Sequence, residues 1–386
     1  MTKLEGKEKI NVALVCTSMN QLGGKNTHLK NIYRFFDKDD LTICIIACSR
    51  IAGELRKFML LEGVREDNLF LIPRFKKLLI IPFILHLRRI YIEKRIDIVH
   101  TFQIQSDILG GMAAYFSGKR NIISQHESKI IEENISIIKR LFYRLANRLV
   151  NGWFKKTIVV SEGLKNELVS GRFRTIETIE VVHLGVDIPP YYKNMEFSFE
   201  NLNAGKPVIG TIARFSREKS LDRILATVPR VLKEFPGARF VIVGHGPERI
   251  NLENLIRRLG IGSQVTLTDN AWVRPFEALE RIDLFVMPSI REGCPNVLLQ
   301  ALALARPVIA SNIDGIREIV ENEKNGILID TANQQLFAEK IIYLCKHPQR
   351  AIEFGRNGRE KISSSFTTGC EKAKIKRIYL EMLNRT

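Results

Sequence analysis

Short runs of Val, Ile and Leu recur along the first half of the chain, with helical patterns between them: NVALVCTS, LTICIIAC, IDIVHTF, NIISQHE, TIVVS and IEVVHLGVD. Apolarity within each run is continuous rather than alternating, as in strands of a parallel sheet covered by helices on both faces. From 188 to 207 the pattern lapses into IPPYYKNMEFSFENLNAGKP, a linker by its prolines and asparagines. The cycle then restarts with VIGTIAR, RFVIVGHG, QVTLTD, LFVMPS, RPVIAS and GILI. The pattern predicts an α/β chain of two Rossmann-like, doubly wound domains, residues 1–190 and 191–365, with a C-terminal helix over about 366–386 packing back on the first. Ligands of such sheets bind at the carboxyl ends of the strands, so the expected binding place is a cleft where the two domains face each other.

Length agrees with that division, since 386 residues exceed what one growing core accommodates, and 45% apolar residues suffice to fill two. Charge adds a constraint. Lys and Arg outnumber Asp and Glu by 59 to 42, which implies an anionic neighbour: nucleic acid, lipid headgroup or phosphate. Within the first domain the excess is concentrated in residues 74–156, with 16 basic and 6 acidic side chains. There RFKKLLIIPFILHLRRIYIEKR and ISIIKRLFYRLANRLVNGWFKK interleave cations with Leu, Ile and Phe. This composition suits helices resting on an anionic membrane surface, and equally amphipathic core helices with a basic outer face. No aromatic-rich strand surface or recognition-helix motif accompanies the charge, so nucleic acid is not an expected partner.

The six cysteines, Cys16, Cys44, Cys48, Cys294, Cys345 and Cys370, form no CxxC pair and have no His at zinc spacing, and they read as reduced thiols. The start MTKLEGKEK is too polar for a signal peptide, and LLIIPFILHL at 78–87 is far short of a membrane span. The expectation is a cytoplasmic protein, peripheral at the inner face of the membrane.

Two segments carry candidate chemistry. In TIARFSREKS, 211–220, a strand ends at Arg214 and a polar turn leads through Lys219 into a helix. Two cations at a strand's carboxyl end beside a helix N-terminus suit a pyrophosphate, and taken alone they suit a solvated basic loop as well. The second segment is REGCPNVLLQALALARPVIAS, 291–311. Pro295 fits the first turn of a helix, so the free amides near Gly293, Cys294 and Asn296 would face the binding edge together with Glu292. Gln300 lies just over two helical turns further on, inside VLLQALALA. It is either a hydrogen-bonding group aimed at a ligand or a residue at a solvent edge. GHGPE, 244–248, holds only G-x-G and fails the dinucleotide fingerprint, so His245, like His100 in IVHTF, reads as structural. Asp37 and Asp39 in FFDKDD form a lone D-x-D between a helix and a strand, where a solvated turn explains them.

EGCPNVLLQALALARPVIASNIDGIREIV resembles the signature of retaining GT-B glycosyltransferases of family 4, and TIARFSREKS and VIVGHGPE match the same half. In the first half LGGKNTHL resembles the family's N-terminal glycine loop, and IVHTF, SQHE, VVSEGLKNEL and HLGVD follow in the family's order. The resemblance implies that Arg214 and Lys219 hold the donor diphosphate, Glu292 the donor sugar's hydroxyls, Gln300 the ribose, and the amides of Gly293, Cys294, Asn296 and Val297 around Pro295 both sugar and phosphate. It places His126 beside the transferred sugar, and Gly23 and Gly24 where backbone approaches phosphate and acceptor. The chain departs from the family at Gln300, where Glu is usual, at Ala305, where Gly is common, and at Leu184, where Asn is usual. An amide at 300 weakens a charged hydrogen bond towards a neutral one, about tenfold in affinity, without abolishing it.

The activity implied by the resemblance is a retaining transfer of a hexose or N-acetylhexosamine from a nucleotide sugar, UDP-linked by the form of the EG-x-PNVLL loop, to a lipid-linked or growing polysaccharide acceptor. No metal and no cofactor are expected: Arg214, Lys219 and the helix dipole stabilise the departing diphosphate instead. Two rivals stay open, a nucleotide-sugar epimerase or hydrolase of the same fold, and a non-catalytic scaffold of a glycan synthase complex.

Overall fold

The computed structural model describes residues 9–17, 24–36, 41–73, 80–128, 136–193, 200–269 and 275–383. It divides into two units, Met1–His183 with Glu371–Thr386, and Leu184–Cys370. Among the described residues each unit is built on one parallel sheet.

The first sheet contains β1 (Ile10–Cys16), β2 (Leu41–Ser49), β3 (Leu69–Pro73), β4 (Ile98–Phe102), β5 (Ile122–His126), β6 (Lys156–Val159) and β7 (Ile179–Val181), in the order β3-β2-β1-β4-β5-β6-β7. Its continuous apolar runs have a direct cause. Val12, Leu14 and Cys16 enter one hydrophobic cluster while Ala13 and Val15 enter another, so alternate residues feed cores on opposite faces. β3, the run LFLIP, is a strand the hydrophobic pattern did not predict. It is short, sits at the sheet's outer edge and ends in a proline, which an edge strand tolerates.

The C-terminal helix Thr368–Met382 lies against this first sheet. Ile375, Ile378, Tyr379 and Met382 join the cluster of Val12, Leu14, Ile32 and Phe36. Two buried polar contacts fix its register: the Tyr379 hydroxyl lies 2.8 Å from His100 Nδ1, and Glu371 Oε1 lies 2.6 Å from His28 Nε2.

The second sheet contains β8 (Val208–Ile212), β9 (Arg239–Val243), β10 (Val265–Thr268), β11 (Leu284–Met287), β12 (Val308–Ser311) and β13 (Ile327–Ile329), in the order β10-β9-β8-β11-β12-β13. Ile209 pairs with Phe240 on one side and Leu284 on the other. In both sheets the chain moves outward from its first strand, returns, and continues past the other side. That reversal, between β1 and β4 in one unit and between β8 and β11 in the other, opens a crevice at the strands' carboxyl ends. All six strands predicted for this unit are present, and the sheets have the doubly wound form expected.

Candidate functional site

The loop after β8 is held by backbone. Phe215 is fully buried and Ala213 nearly so, while the Arg214 side chain between them is exposed. The Phe215 amide donates to the His245 carbonyl at 2.8 Å, and the Glu248 amide donates to the Phe215 carbonyl at 2.9 Å. This close approach needs the two glycines of GHG. A Cβ on Gly244, at φ +145°, would lie 1.9 Å from the Ala213 oxygen, and one on Gly246, at φ +154°, 2.4 Å from the Phe215 oxygen. The motif that fails as a dinucleotide fingerprint thus positions Arg214.

Lys219 ends a single 3-10 turn, Arg217–Lys219, and Ser220 at φ +47° separates it from the helix Asp222–Glu234. The expectation put Lys219 at the helix start; the left-handed residue sets it one step earlier. Lys219 Nζ donates to Glu292 Oε1 at 2.6 Å, a contact between the loops after β8 and β11, on either side of the strand-order reversal. The Ile290 amide, donating to the Glu218 carbonyl at 2.9 Å, ties the same two loops through backbone. Beside it Ser216 Oγ donates to Glu218 Oε1 at 2.6 Å. Burial pushes the Glu218 carboxyl up, but the Ser216 hydroxyl, Lys219 and Arg214 outweigh it and hold the group below the usual carboxylate range.

Pro295, with φ −73° and ψ 110°, is the N-cap of the helix Asn296–Ala303 rather than its first helical residue, because its extended ψ places the turn one residue later. The amides of Asn296 and Val297 therefore open the helix without intrahelical carbonyls to meet. Cys294 is buried, and Glu292, Gly293 and Gln300 are half-buried. Gln300 is thus not sealed inside the helix bundle, and desolvation alone does not require it to have a partner. One supporting residue carries no sequence motif of its own. A Cβ on Gly315 would lie 2.0 Å from the Gly293 oxygen and 2.6 Å from that of Glu292, so Gly315 lets the segment after β12 press against the Glu292 loop. Its signal is the DG pair in SNIDGIREIV, whose turn tendency is silent about the backbone that approaches it.

In the first unit His126 is the last residue of β5 and is buried. Its Nε2 lies 2.7 Å from Ser124 Oγ and 3.2 Å from Asp107 Oδ2, and Asp107 is itself paired with Arg174 at 3.3 Å. Gly24 opens the helix Gly24–Phe36, whereas Gly23, Asp37 and Asp39 lie outside the described residues. His100 carries the Tyr379 contact above and stacks on Phe102. Among the described residues, no three His, Cys, Asp or Glu side chains form a metal-holding group, and no helix is long and apolar enough to cross a membrane. All six cysteines are thiols rather than disulfides.

Residues 193–361 match the family model for glycosyl transferases group 1, and residues 22–188 match that for glycosyltransferase family 4. The chain is a GT-B glycosyltransferase of family 4. A GDP-mannose-dependent α-(1-6)-phosphatidylinositol monomannoside mannosyltransferase of Mycobacterium tuberculosis is 29% identical over 178 residues, 44% of this chain and 46% of that one. The capsular polysaccharide biosynthesis glycosyltransferase CapM of Staphylococcus aureus is 22% identical over 285 residues, 70% and 73% of the two chains. The chain spans about half the length of most of the first curated relatives it matches. Among solved structures, Anabaena HepE in complex with UDP superposes with a TM-score of 0.79 at 16% identity, covering 96% of this chain and all of that one. That neighbour shares the two-sheet fold along essentially the whole chain.

Proposed function

We propose that this family-4 chain transfers a hexose or N-acetylhexosamine from a UDP-sugar, with retention and without a metal ion, to a lipid-linked or growing polysaccharide acceptor. The Lys219–Glu292 contact at the strand-order reversal of the second unit carries the reading. An ammonium has three donors, so Lys219 can keep Glu292 oriented towards sugar hydroxyls while binding the donor diphosphate. Arg214 is exposed beside it, and the amides of Asn296 and Val297 add partial positive charge where the leaving group develops negative charge. Gln300 accepts or donates at the ribose. His126 is assigned to the sugar through the family resemblance, and the leaving phosphate assists removal of the acceptor proton in a front-face displacement.

UDP is preferred for the form of the Glu292 loop and because the HepE neighbour holds it; the mycobacterial relative is GDP-mannose-dependent, so both nucleotides belong in the test. Thermal shifts with UDP, GDP, ADP and NAD on wild type and Lys219→Ala decide the donor site. Stabilisation by one nucleoside diphosphate, lost in the variant, supports the reading; none with any of them leaves the scaffold reading standing. Incubation with the matching nucleotide sugars in EDTA then separates transfer from release of free sugar, the hydrolase outcome, and loss of transfer in EDTA refutes metal independence.

A membrane-borne acceptor is supported by the helix Ile137–Asn151. Ile137, Ile138, Leu141, Leu145 and Leu149 are 60–82% exposed at helical spacing, next to Arg144 and Arg148, while Val150 turns into the core. Ile81 and Leu85 are exposed on another helix of the same unit, Ile80–Glu93, near Arg88 and Arg89. We place this face on anionic lipid headgroups, with the enzyme peripheral at the cytoplasmic face of the membrane. Co-sedimentation with phosphatidylglycerol vesicles is expected to fall strongly in Leu141→Ser/Leu145→Ser and in high salt. Equal binding to neutral phosphatidylcholine vesicles would count against it.

A further inference from the structure

His126 has a proton arrangement that its neighbours dictate. Ser124 Oγ donates to Asp107 Oδ2 at 2.7 Å and lies 2.7 Å from His126 Nε2. A serine hydroxyl has one proton, and an ionised carboxylate only accepts. Once that proton is given to Asp107, the serine oxygen has only lone pairs for the ring, so Nε2 must carry a hydrogen. Asp107 Oδ2, 3.2 Å from Nε2, favours the same assignment.

Whether Asp107 stays ionised in a fully buried position depends on its surroundings. Burial pushes its carboxyl up, yet His126, Arg174 and the Thr101 hydroxyl outweigh this and hold it below the usual range. Thr101 Oγ1 lies 2.6 Å from Oδ1, and Arg174 Nη2 donates to Oδ2 at 3.3 Å. The guanidinium is itself fixed: Nε donates to Thr157 at 2.9 Å, Nη1 to Asn147 at 2.8 Å and to the Phe173 carbonyl at 2.9 Å, and the plane lies over Phe154. The buried carboxylate is compensated by a buried cation and presents no uncompensated charge to the imidazole. The other ring nitrogen, Nδ1, is buried and has no hydrogen-bond partner among the described residues. A buried orphan acceptor is unfavourable unless a ligand or water reaches it.

We propose that Asp107, Ser124 and Arg174 are positioning residues that keep a hydrogen on His126 Nε2 and fix the ring, leaving Nδ1 to accept a hydrogen bond from a hydroxyl of the bound sugar. The second part rests on the glycosyltransferase reading; the first does not. No proton is transferred in this arrangement: the ring orients a hydroxyl by accepting from it.

The test uses the full chain labelled with 15N-histidine at pH 8. Long-range proton–nitrogen spectra distinguish the two tautomers, and His126→Gln assigns the signal among seven histidines. In wild type, Nε2 is expected to be the protonated, pyrrole-type nitrogen and Nδ1 the pyridine-type one; the reverse overturns the proposal without any appeal to activity. Ser124→Ala should retain this tautomer, because Asp107 can take over as acceptor. In Asp107→Asn the amide can donate to Ser124, freeing the serine proton for Nε2, so the population should move to Nδ1–H; an unchanged tautomer removes Asp107 from the role. Should Asp107→Asn not fold, the wild-type and Ser124→Ala spectra still decide the tautomer. With the UDP-sugar that wild type turns over, Asp107→Asn is expected to lower kcat about tenfold or more with little change in donor KM. A loss confined to KM refutes the part assigned to Nδ1. A wild type that transfers no sugar at all bears on the glycosyltransferase reading and leaves the tautomer result standing.

Discussion

Gly315→Ala tests whether the Glu292 loop is held by the close approach of two backbone segments. The added Cβ would lie 2.0 Å from the Gly293 oxygen and 2.6 Å from the Glu292 oxygen. Opening the first contact merely to 3.0 Å, still tighter than most real Cβ contacts, requires a relative displacement of about 1 Å. The opposing partner is a carbonyl rather than the flexible end of a side chain, so relief must come from movement of backbone. Overpacking of this kind costs about 1–3 kcal/mol. For a unit the size of Leu184–Cys370 each kcal/mol lowers the melting temperature by about 2–4 °C. A shift of about 1 Å in the positioning loop can also reduce turnover by about 100-fold, although no polar group is removed.

Calorimetric titration with UDP, turnover and thermal denaturation together separate these effects, with Gly262→Ala as control. The nearest atom to a Cβ at Gly262, Ile256 Cγ2, is 3.9 Å away, and neither stability nor binding should change. A Gly315→Ala protein that melts lower but binds UDP and turns over as wild type would show that the Asp314–Arg317 segment yields and the Glu292 loop does not. The reasoning about the loop would then fail.

Three further outcomes are expected. Ala305 has φ +53°, a conformation costing an L-residue about 1–2 kcal/mol, which glycine relieves at the expense of added unfolded-state freedom and one lost methyl. Thermal denaturation of Ala305→Gly should therefore show a change within about 1 kcal/mol of zero; a loss beyond that would mean that the methyl packs better than its strain suggests. His28 lies between Glu127 Oε1 at 2.5 Å and Glu371 Oε1 at 2.6 Å; burial alone would push it down, but the two carboxylates outweigh it and raise it to about 10. A raised folded value stabilises fully below the ordinary histidine value of 6.5 and is lost as pH rises through about 10, so the melting temperature should fall over that window and His28→Gln should flatten the profile. In Glu292→Gln the Lys219 ion pair is replaced by a neutral contact, and transfer should fall by about 10- to 100-fold while UDP binding is largely kept, measured by turnover beside calorimetry.

The hydrophobic pattern made the strands legible because burial on both faces forces unbroken apolarity, which amphipathic helices do not show. It missed β3 because an edge strand of five residues closed by Pro73 leaves too short a run to stand out against a basic neighbourhood. Arg214, Lys219 and Glu292 could be singled out because charged residues at strand ends have few structural uses, and the structure joins Lys219 to Glu292. Gly244, Gly246 and Gly315 were not, because a glycine's reason lies in whichever distant backbone approaches it, Ala213, Phe215 and Gly293 here, and no spacing in the sequence records that approach. Asp107 was hidden for a related reason. It sits in a helix whose pattern is otherwise apolar, QIQSDILGGMAAYF, and its partners Ser124 and Arg174 are 17 and 67 residues away.

The two units repeat one construction with different chemistry. In the first, the Thr17 amide after β1 donates to Ser106 Oγ, on the helix after β4, at 2.9 Å. In the second, the Ile290 amide after β11 donates to the Glu218 carbonyl after β8 at 2.9 Å. Each bond ties the two segments that flank a strand-order reversal, the place where a doubly wound sheet binds its ligand. Near the first tie Asp107, which follows Ser106, is a buried carboxylate already paired with Arg174; around the second stand Arg214 and Lys219. Electrostatics therefore favours the second unit for an anionic diphosphate. The first unit's cations beside exposed Ile and Leu lie elsewhere, on helices Ile80–Glu93 and Ile137–Asn151, the face proposed above to meet anionic lipid. A chain that only bound a nucleotide would use the cations of one sheet; the second, separate set on an apolar face is what the proposed membrane-borne acceptor would call for, and vesicle co-sedimentation is its test.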